Sequence, residues 1–453
     1  MKLTKMSLVA ALLVGSSAFA DDKVSTIMDS VKVSGDVNLF YSTSDAKDQT
    51  SNTIVGKTGS GDLFNKDSSA ADASLNLAIA ADLVKNDMVT VSGKAAYTVL
   101  STLGLENNLV SNVWGGAHKA TAPTGASYGY ALGGAKVENA NYFTEAYITV
   151  AAGNSAAQLG RMEVDTPLAF TEKWSAEKNT FEGIVALNKD IPDTTVVVAY
   201  LGNGNGNEAA GQSIDSNVYT LGLAAAGVVN EDGKFGTFGT NGAYALGVVN
   251  NSFKPLTVQA WYYEVSKMAS AYWLQADLNM EGILLGGQYS GIDVDKRYTG
   301  LASNVDNDVF AVMAGYEMKD VVTVKLAYSQ TGKDSSVVGI GAGSNVATST
   351  GNTKLYTKTF WNYGNVVTAN DTEAMKASVS SPVNGLFDAC LSYTLAESKV
   401  AGGSDDVAEI AAVVKKSFGP LDAKLAYINF DYDDFSGYKD NYNMVQAYLS
   451  LNF

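Results

Sequence analysis

Apolar and polar side chains alternate with a period of two along most of this chain. A β-strand turns such alternation into two chemically different faces. In Met444–Phe453, Val445, Ala447, Leu449, Leu451 and Phe453 share one parity, while Gln446, Ser450 and Asn452, with Tyr448 among them, share the other. Leu75, Leu77, Ile79 and Ala81 alternate with Asn76, Ala78, Ala80 and Asp82. Beyond Lys85-Asn86-Asp87, Val89, Val91, Gly93, Ala95, Tyr97 and Val99 alternate with Thr90, Ser92, Lys94, Ala96 and Thr98. Tyr272, Leu274, Ala276, Leu278 and Met280 oppose Trp273, Gln275, Asp277 and Asn279 in the same way.

This period predicts strands over 31–43, 75–82, 89–99, 142–150, 155–162, 181–187, 194–201, 243–249, 256–265, 271–280, 283–289, 309–318, 321–330, 374–380, 386–395, 407–418, 421–430 and 444–453. Turns of two to six residues alternate with mostly longer Gly-, Ser- and Asn-rich loops, among them 44–70, 101–141 and 331–371. The apolar piece 218–229 could be one more strand, but an odd total would put the two ends of the barrel on opposite sides of a membrane. It is therefore placed in an insertion spanning 202–241. About 18 strands, one face apolar and the other polar, predict an all-β fold: a transmembrane antiparallel up-and-down β-barrel with long extracellular loops and short periplasmic turns, wide enough for an aqueous channel. Tyr200, Trp261, Tyr262, Tyr263, Trp273, Tyr289, Tyr316 and Tyr393 near strand ends fit interfacial aromatic girdles.

The start of the chain agrees with an export route. Lys2 and Lys5 precede the short apolar run Met6–Gly15, and Ala18-Phe19-Ala20 has the form of a cleavage site. Residues 1–20 read as a secretory signal peptide and 21–30 as a short periplasmic lead-in, leaving 31–453 as one barrel domain. No later stretch approaches the roughly 20 unbroken apolar residues of a membrane helix. The charged share is 17%, beside 44 Gly and 24 Tyr, which suits a barrel better than a cytosolic enzyme. All six prolines fall in turns or loops, where a sheet confines them.

Without the two signal-peptide lysines the chain carries 29 basic and 47 acidic groups, a formal charge of −18. That balance argues against nucleic acid as a partner and is compatible with a cation-attracting pore. Cys390 is the single cysteine, so no internal disulfide can form, and its parity with Asp388, Ser392 and Thr394 turns it to the lumen.

Catalysis finds little support. His118 is the only histidine, in the middle of a long loop, and with one His and one Cys a transition-metal site lacks ligands. No cofactor is expected. Calcium held by loop acids would draw on Asp293/Asp295, Asp306/Asp308, Asp405/Asp406 or Asp431/Asp433/Asp434, none with the spacing of a known loop motif, and solvated charge is the simpler reading.

A passive pore needs a closed wall, a polar lumen and a constriction. The charged segment Glu163–Lys178 is the constriction candidate, as a third loop folded inward around 163–180, with Glu163, Asp165, Glu172, Lys173, Glu177 and Lys178 supplying both signs and hence a transverse field. Lys94, Glu145, Asp277 and Lys325 are the expected lumen-wall charges. Strict alternation from Leu159 turns Arg161 outward. Tyr448, Leu449, Leu451 and Phe453 form the candidate assembly signal for a barrel-assembly machinery.

The opening Met-Lys-Leu-Thr-Lys-Met-Ser-Leu-Val-Ala-Ala-Leu, the first strand Val31-Lys32-Val33-Ser34-Gly35-Asp36-Val37, and Gln275-Ala276-Asp277 with Trp261-Tyr262-Tyr263 resemble the Campylobacter-type major outer membrane porins, within the wider Opr group. The resemblance covers the chain in layout and is specific in these short pieces. It implies an 18-stranded homotrimeric barrel in the outer membrane of a Gram-negative bacterium, diffusion of ions and small hydrophilic solutes, a cationic preference and third-loop constriction. The insertion at 202–241 departs from the compact family layout. A barrel-anchored surface adhesin or structural outer-membrane protein is the alternative, and an outer-membrane hydrolase built on His118 is a distant third.

Overall fold

A computed structural model describes residues 30–45, 62–65, 69–101, 103–105, 109–110, 112–113, 132–133, 140–173, 175–206, 235–238, 242–299, 303–333, 341–347, 352–361, 366–400, 403–433 and 441–453. Among them eighteen long strands form one antiparallel wall: Lys32–Ser44, Ser69–Lys85, Thr90–Ser101, Ala140–Ala152, Ser155–Met162, Phe181–Asn188, Thr194–Gly204, Ala243–Asn250, Leu256–Val265, Ala269–Met280, Ile283–Val294, Val305–Met318, Val322–Thr331, Thr372–Val383, Phe387–Val400, Gly403–Phe418, Leu421–Asp433 and Asn441–Asn452. Each pairs with its neighbours in sequence. The wall closes where Lys32–Ser44 meets Asn441–Asn452, with Asp36 opposite Asn452 and Leu39 opposite Leu449. Gly35 and Phe453 exchange both backbone hydrogen bonds at this seam, at 2.8 and 2.9 Å.

Thr194–Gly204 pairs directly with Ala243–Asn250, from Leu201 opposite Ala243 to Thr194 opposite Asn250. The apolar piece 218–229 lies outside the described residues.

The alternation decides which way each strand faces. Leu326 is 61% exposed on the outside, while Ser329, three residues on, is fully buried inside. Leu77, Leu246, Leu274, Leu391 and Leu425 stand outward in the same manner, an apolar belt suited to lipid. A bulge at Thr144 shifts the register between Ala96/Glu145 and Tyr97/Phe143, so Thr144 and Glu145 both turn inward while Phe143 turns out. The connections after every second strand, from Lys85–Thr90 to Phe418–Leu421, are all short and share one edge of the barrel, whereas the opposite edge carries the long loops together with short links such as that from Val265 to Ala269. Val383 pairs with Phe387 across a three-residue connection, in which Asn384 and Gly385 both have positive φ, 45° and 68°, a backbone that glycine adopts without strain.

The aromatic residues divide. Tyr200, Tyr262, Tyr289, Tyr316 and Tyr393 are exposed on the outer face, whereas Trp261, Tyr263 and Trp273 are buried inside the barrel, against the girdle expectation. Trp273 shares the parity of Gln275, to whose Oε1 its indole nitrogen donates at 2.9 Å, so the pleat takes it inward with its polar neighbours. These rings join Met162, Leu168, Phe181 and Leu355 in a core that fills one part of the lumen. A second apolar cluster gathers Phe40, Leu100, Trp361, Ile428, Phe430 and Met444. A barrel of this width has room for such packing only because loops fold into it.

Candidate functional site

Two loops meet inside the barrel. The first, 163–180, is pinched into two short antiparallel turns by the bridges Asp165–Phe170 and Lys173–Lys178. Pro167 fixes one backbone angle in the first turn, whose ends are tied by Thr166 N–H to the Ala169 carbonyl, 2.9 Å, and Thr171 N–H to the Val164 carbonyl, 2.6 Å. Its return end is anchored by the Thr180 hydroxyl on the Thr144 carbonyl, 2.7 Å, and by the Thr180 N–H on Asn205 Oδ1, 2.7 Å.

The second loop, from 331 to 371, reads in the sequence only as a long polar loop. Its described pieces 341–347 and 352–361 lie against the first loop. Val346 donates its N–H to the Leu168 carbonyl at 2.7 Å. Glu172, 3% exposed, accepts from Asn345 Nδ2 at 2.5 Å and Asn352 Nδ2 at 3.0 Å. Lys354 pairs with Asp165. The second loop is also fastened to the wall. The Tyr356 hydroxyl donates to Asp277 Oδ1 at 2.6 Å, and its N–H to Gln288 Oε1 at 3.0 Å. Lys376 donates to the Lys358 carbonyl. Glu409, 1% exposed, accepts the backbone N–H groups of Phe360 at 2.5 Å and Trp361 at 3.0 Å.

Between these loops and the wall lies a cavity of about 850 Å³. Its described lining holds seven lysines (94, 173, 178, 354, 358, 415 and 424) and six carboxylates (Asp36, Glu145, Glu163, Asp165, Glu172 and Glu177). The six charged residues expected from Glu163–Lys178 all border it. Three ion pairs lie at the cavity: Lys178 with Glu163 within the first loop, Lys354 with Asp165 between the two loops, and Lys94 with Glu145 within the wall, at 2.5 Å. Lys173 donates to Asn38 Oδ1 at 3.1 Å, and Asn76 Nδ2 donates to Glu177 at 2.7 Å and Asp36 at 2.9 Å. Facing this side, Lys424 stands 3.3 Å over the Tyr448 ring, with Lys358, Lys415 and Phe360 on the same cavity.

Burial raises the Glu177 carboxyl above the ordinary range, with Lys173 opposing. It lowers Lys173, against the pull of Glu177 and Asp36. Burial also works against charge on Lys178, but Glu163 and Glu145 outweigh it and raise that ammonium. Lys354 is lowered by burial, which Asp165 offsets in part.

The other expected wall charges differ in place. Lys94 and Glu145 border the cavity. Asp277 faces inward but does not border it, because Tyr356 covers one oxygen and Gln275 Nε2 donates to the other at 2.6 Å. Lys325 faces inward, on the parity of buried Ser329, away from this cavity. Of the terminal residues, Leu449, Leu451 and Phe453 face outward, whereas Tyr448 lines the cavity. Arg161 is outward, its Nε on Glu182 at 2.6 Å and its guanidinium 4.0 Å above the Phe235 ring. Cys390 is half-buried on the lumen face. His118 and Asp434 lie outside the described residues.

Asp295 is held by Arg297, whose hydrogen bonds bring its carboxyl down to about 2. Among the described residues no three His, Cys, Asp or Glu side chains gather in a metal-holding group. Sequence reading did not reach Lys354 and Lys358, which lie in a loop without periodicity. Lys415 and Lys424 were within reach, since each shares the inward parity of its strand.

No protein-family profile and no curated protein sequence matches the chain. Solved structures do. Pseudomonas aeruginosa OccK8 (OprE) is similar over 95% of this chain and 99% of its own, at 13% identity and a TM-score of 0.65. Acinetobacter baumannii OccAB1 matches 93% of this chain and 96% of its own, at 14% identity and 0.66. Pseudomonas aeruginosa OpdK, solved with vanillate, matches 94% and 99%, at 12% identity and 0.63. At such identities the likeness speaks for the fold, a closed barrel of 18 antiparallel strands.

Proposed function

We propose that this chain is a porin of the Gram-negative outer membrane, a water-filled channel through which ions and small hydrophilic solutes diffuse passively. The observation that carries this reading is the 850 Å³ cavity inside a closed, externally apolar wall, lined by charges of both signs. Loop 163–180, with Glu163, Asp165, Glu172, Lys173, Glu177 and Lys178, is its constriction, and Lys94 and Glu145 are part of the wall beside it. Export by a signal peptide over 1–20, a lead-in over 21–30, assembly through the terminal strand and a homotrimeric state complete the proposal. So does the narrower kinship with Campylobacter-type porins, which rests on the short segments quoted above. No catalytic role is proposed.

The acid surplus of the chain supports a preference for cations. The lining, with seven lysines to six carboxylates, holds that preference to a modest one. A second reading comes from Lys358, Lys415 and Lys424 beside Phe360 and Tyr448, a basic and aromatic wall that suits small organic anions. The OpdK structure with vanillate, an aromatic carboxylate, lends it weight.

Purified protein in planar bilayers is expected to give stepwise conductance, and a salt gradient a reversal potential on the cation side. An anion-side potential would favour the second reading. Absence of steps would sink both, and leave a surface adhesin or structural anchor as the account of the fold.

A further inference from the structure

We infer that the segment 352–361 is a strut across the lumen that sets the width of the constriction, with Glu409 as its positioning residue. The inference rests on the channel reading and deepens it.

The segment touches the molecule at three places. At its first end, Asn352 and Lys354 hold Glu172 and Asp165 of loop 163–180. In the middle, Tyr356 is seated on the strands Ala269–Met280 and Ile283–Val294 through Asp277 and Gln288. Gly286 makes room for it, because a Cβ there would come within 2.4 Å of the Tyr356 hydroxyl. At the other end, Lys376 holds the Lys358 carbonyl and Glu409 takes the N–H groups of Phe360 and Trp361. Asp277 and Glu409 belong to strands well separated around the wall, so the stretch from Tyr356 to Trp361 runs as a chord between them, and Asn352 and Lys354, just before it, carry loop 163–180.

A chord fixed at both ends resists displacement where a loop fixed at one end does not. Whatever fixes 352–361 also fixes the inward reach of loop 163–180, since the two are joined by the Lys354–Asp165 ion pair and by the Asn352 amide on Glu172. Glu409 is suited to this work. A buried carboxylate that accepts two backbone N–H groups orients two successive residues at once, and leaving those donors unmet in a buried site is unfavourable. It thereby aims Phe360, Trp361 and Lys358 toward the cavity, although Glu409 itself does not border it.

The test is single-channel recording of wild type, Glu409→Ala, Glu409→Gln and Tyr356→Phe, with the heat-shifted gel mobility of the folded barrel as a folding control. Glu409→Ala is expected to raise the main conductance about twofold and to add sub-conductance flicker, because the freed end lets both loops swing outward. Glu409→Gln keeps one carbonyl acceptor and is expected to fall between. Tyr356→Phe releases the opposite end and is expected to add flicker even if Glu409→Ala fails to fold. Wild-type steps with folded Glu409→Ala and Tyr356→Phe channels of unaltered conductance and noise would overturn the strut and leave the porin reading standing. A wild type without steps would overturn the porin reading instead.

Discussion

Glu177 lines the cavity between Lys173 and Asn76, its carboxyl held above the usual carboxylate range by burial. On acidification it takes up a proton before ordinary carboxylates do. One negative charge then disappears while Lys173 stays positive, so the narrow zone becomes more basic and cation preference falls. The reversal potential should therefore move toward the anion side as the pH falls, ahead of the range in which ordinary carboxylates titrate. Glu177→Gln should start from the shifted value and move less. An identical pH response in both would disprove the assignment. Glu177 was recognisable in the sequence as one of a dense set of charges around Pro167. Its environment was not, because Asn76, about a hundred residues away, supplies the hydrogen bond. The inward alternation of Leu421–Asp433 and Gly403–Phe418 held enough information to place Lys424 and Lys415. Nothing local marked Lys354 or Lys358.

At the scale of the element, the seam strands depend on a close approach. A Cβ at Gly35 would lie 2.6 Å from the Phe453 ring and 2.5 Å from the Asn76 carbonyl oxygen. Gly35→Val should weaken the seam by about 1–3 kcal/mol, as overpacking in a fixed site does. The measurement is the temperature at which the folded barrel converts to the slower unfolded band on a gel, expected to drop. An unchanged temperature would show that the two strands shift apart without penalty. The strands themselves were legible because each is half lipid-facing and half water-facing, and that asymmetry writes the period of two. The loop 331–371 was not, since a segment bonded through backbone groups and amides inside a wet lumen has the same composition as one in open water. Trp261 and Trp273 misled for the converse reason: an aromatic ring at a strand end serves a membrane interface or an interior core equally well. Only the parity shared with Gln275 separates the two for Trp273.

At the scale of the whole molecule, the inward loops reach both sides of the bore and leave the cavity between themselves and the wall. An apolar core around Trp261, Trp273 and Leu355 fills one part of the bore, while Lys415, Lys424, Asp36 and Lys94 border the cavity with Phe360 and Trp361. Cys390 faces the lumen on the strand beside Lys415, with Asp388 opposite that lysine in the register. A small anionic thiol reagent added to open channels should react there and reduce conductance, and Cys390→Ser should abolish the effect. Conductance indifferent to the reagent would place the thiol out of the water path.

The pairing of Lys32–Ser44 with Asn441–Asn452 carries a consequence for biogenesis. The first staves of this cask have no permanent neighbour on one side until the final one arrives. A copy cut short anywhere before Asn441 would keep two raw hydrogen-bonding borders, and hydrocarbon tolerates none. Synthesis to completion is thus inspected by geometry alone: an unfinished copy cannot be hooped.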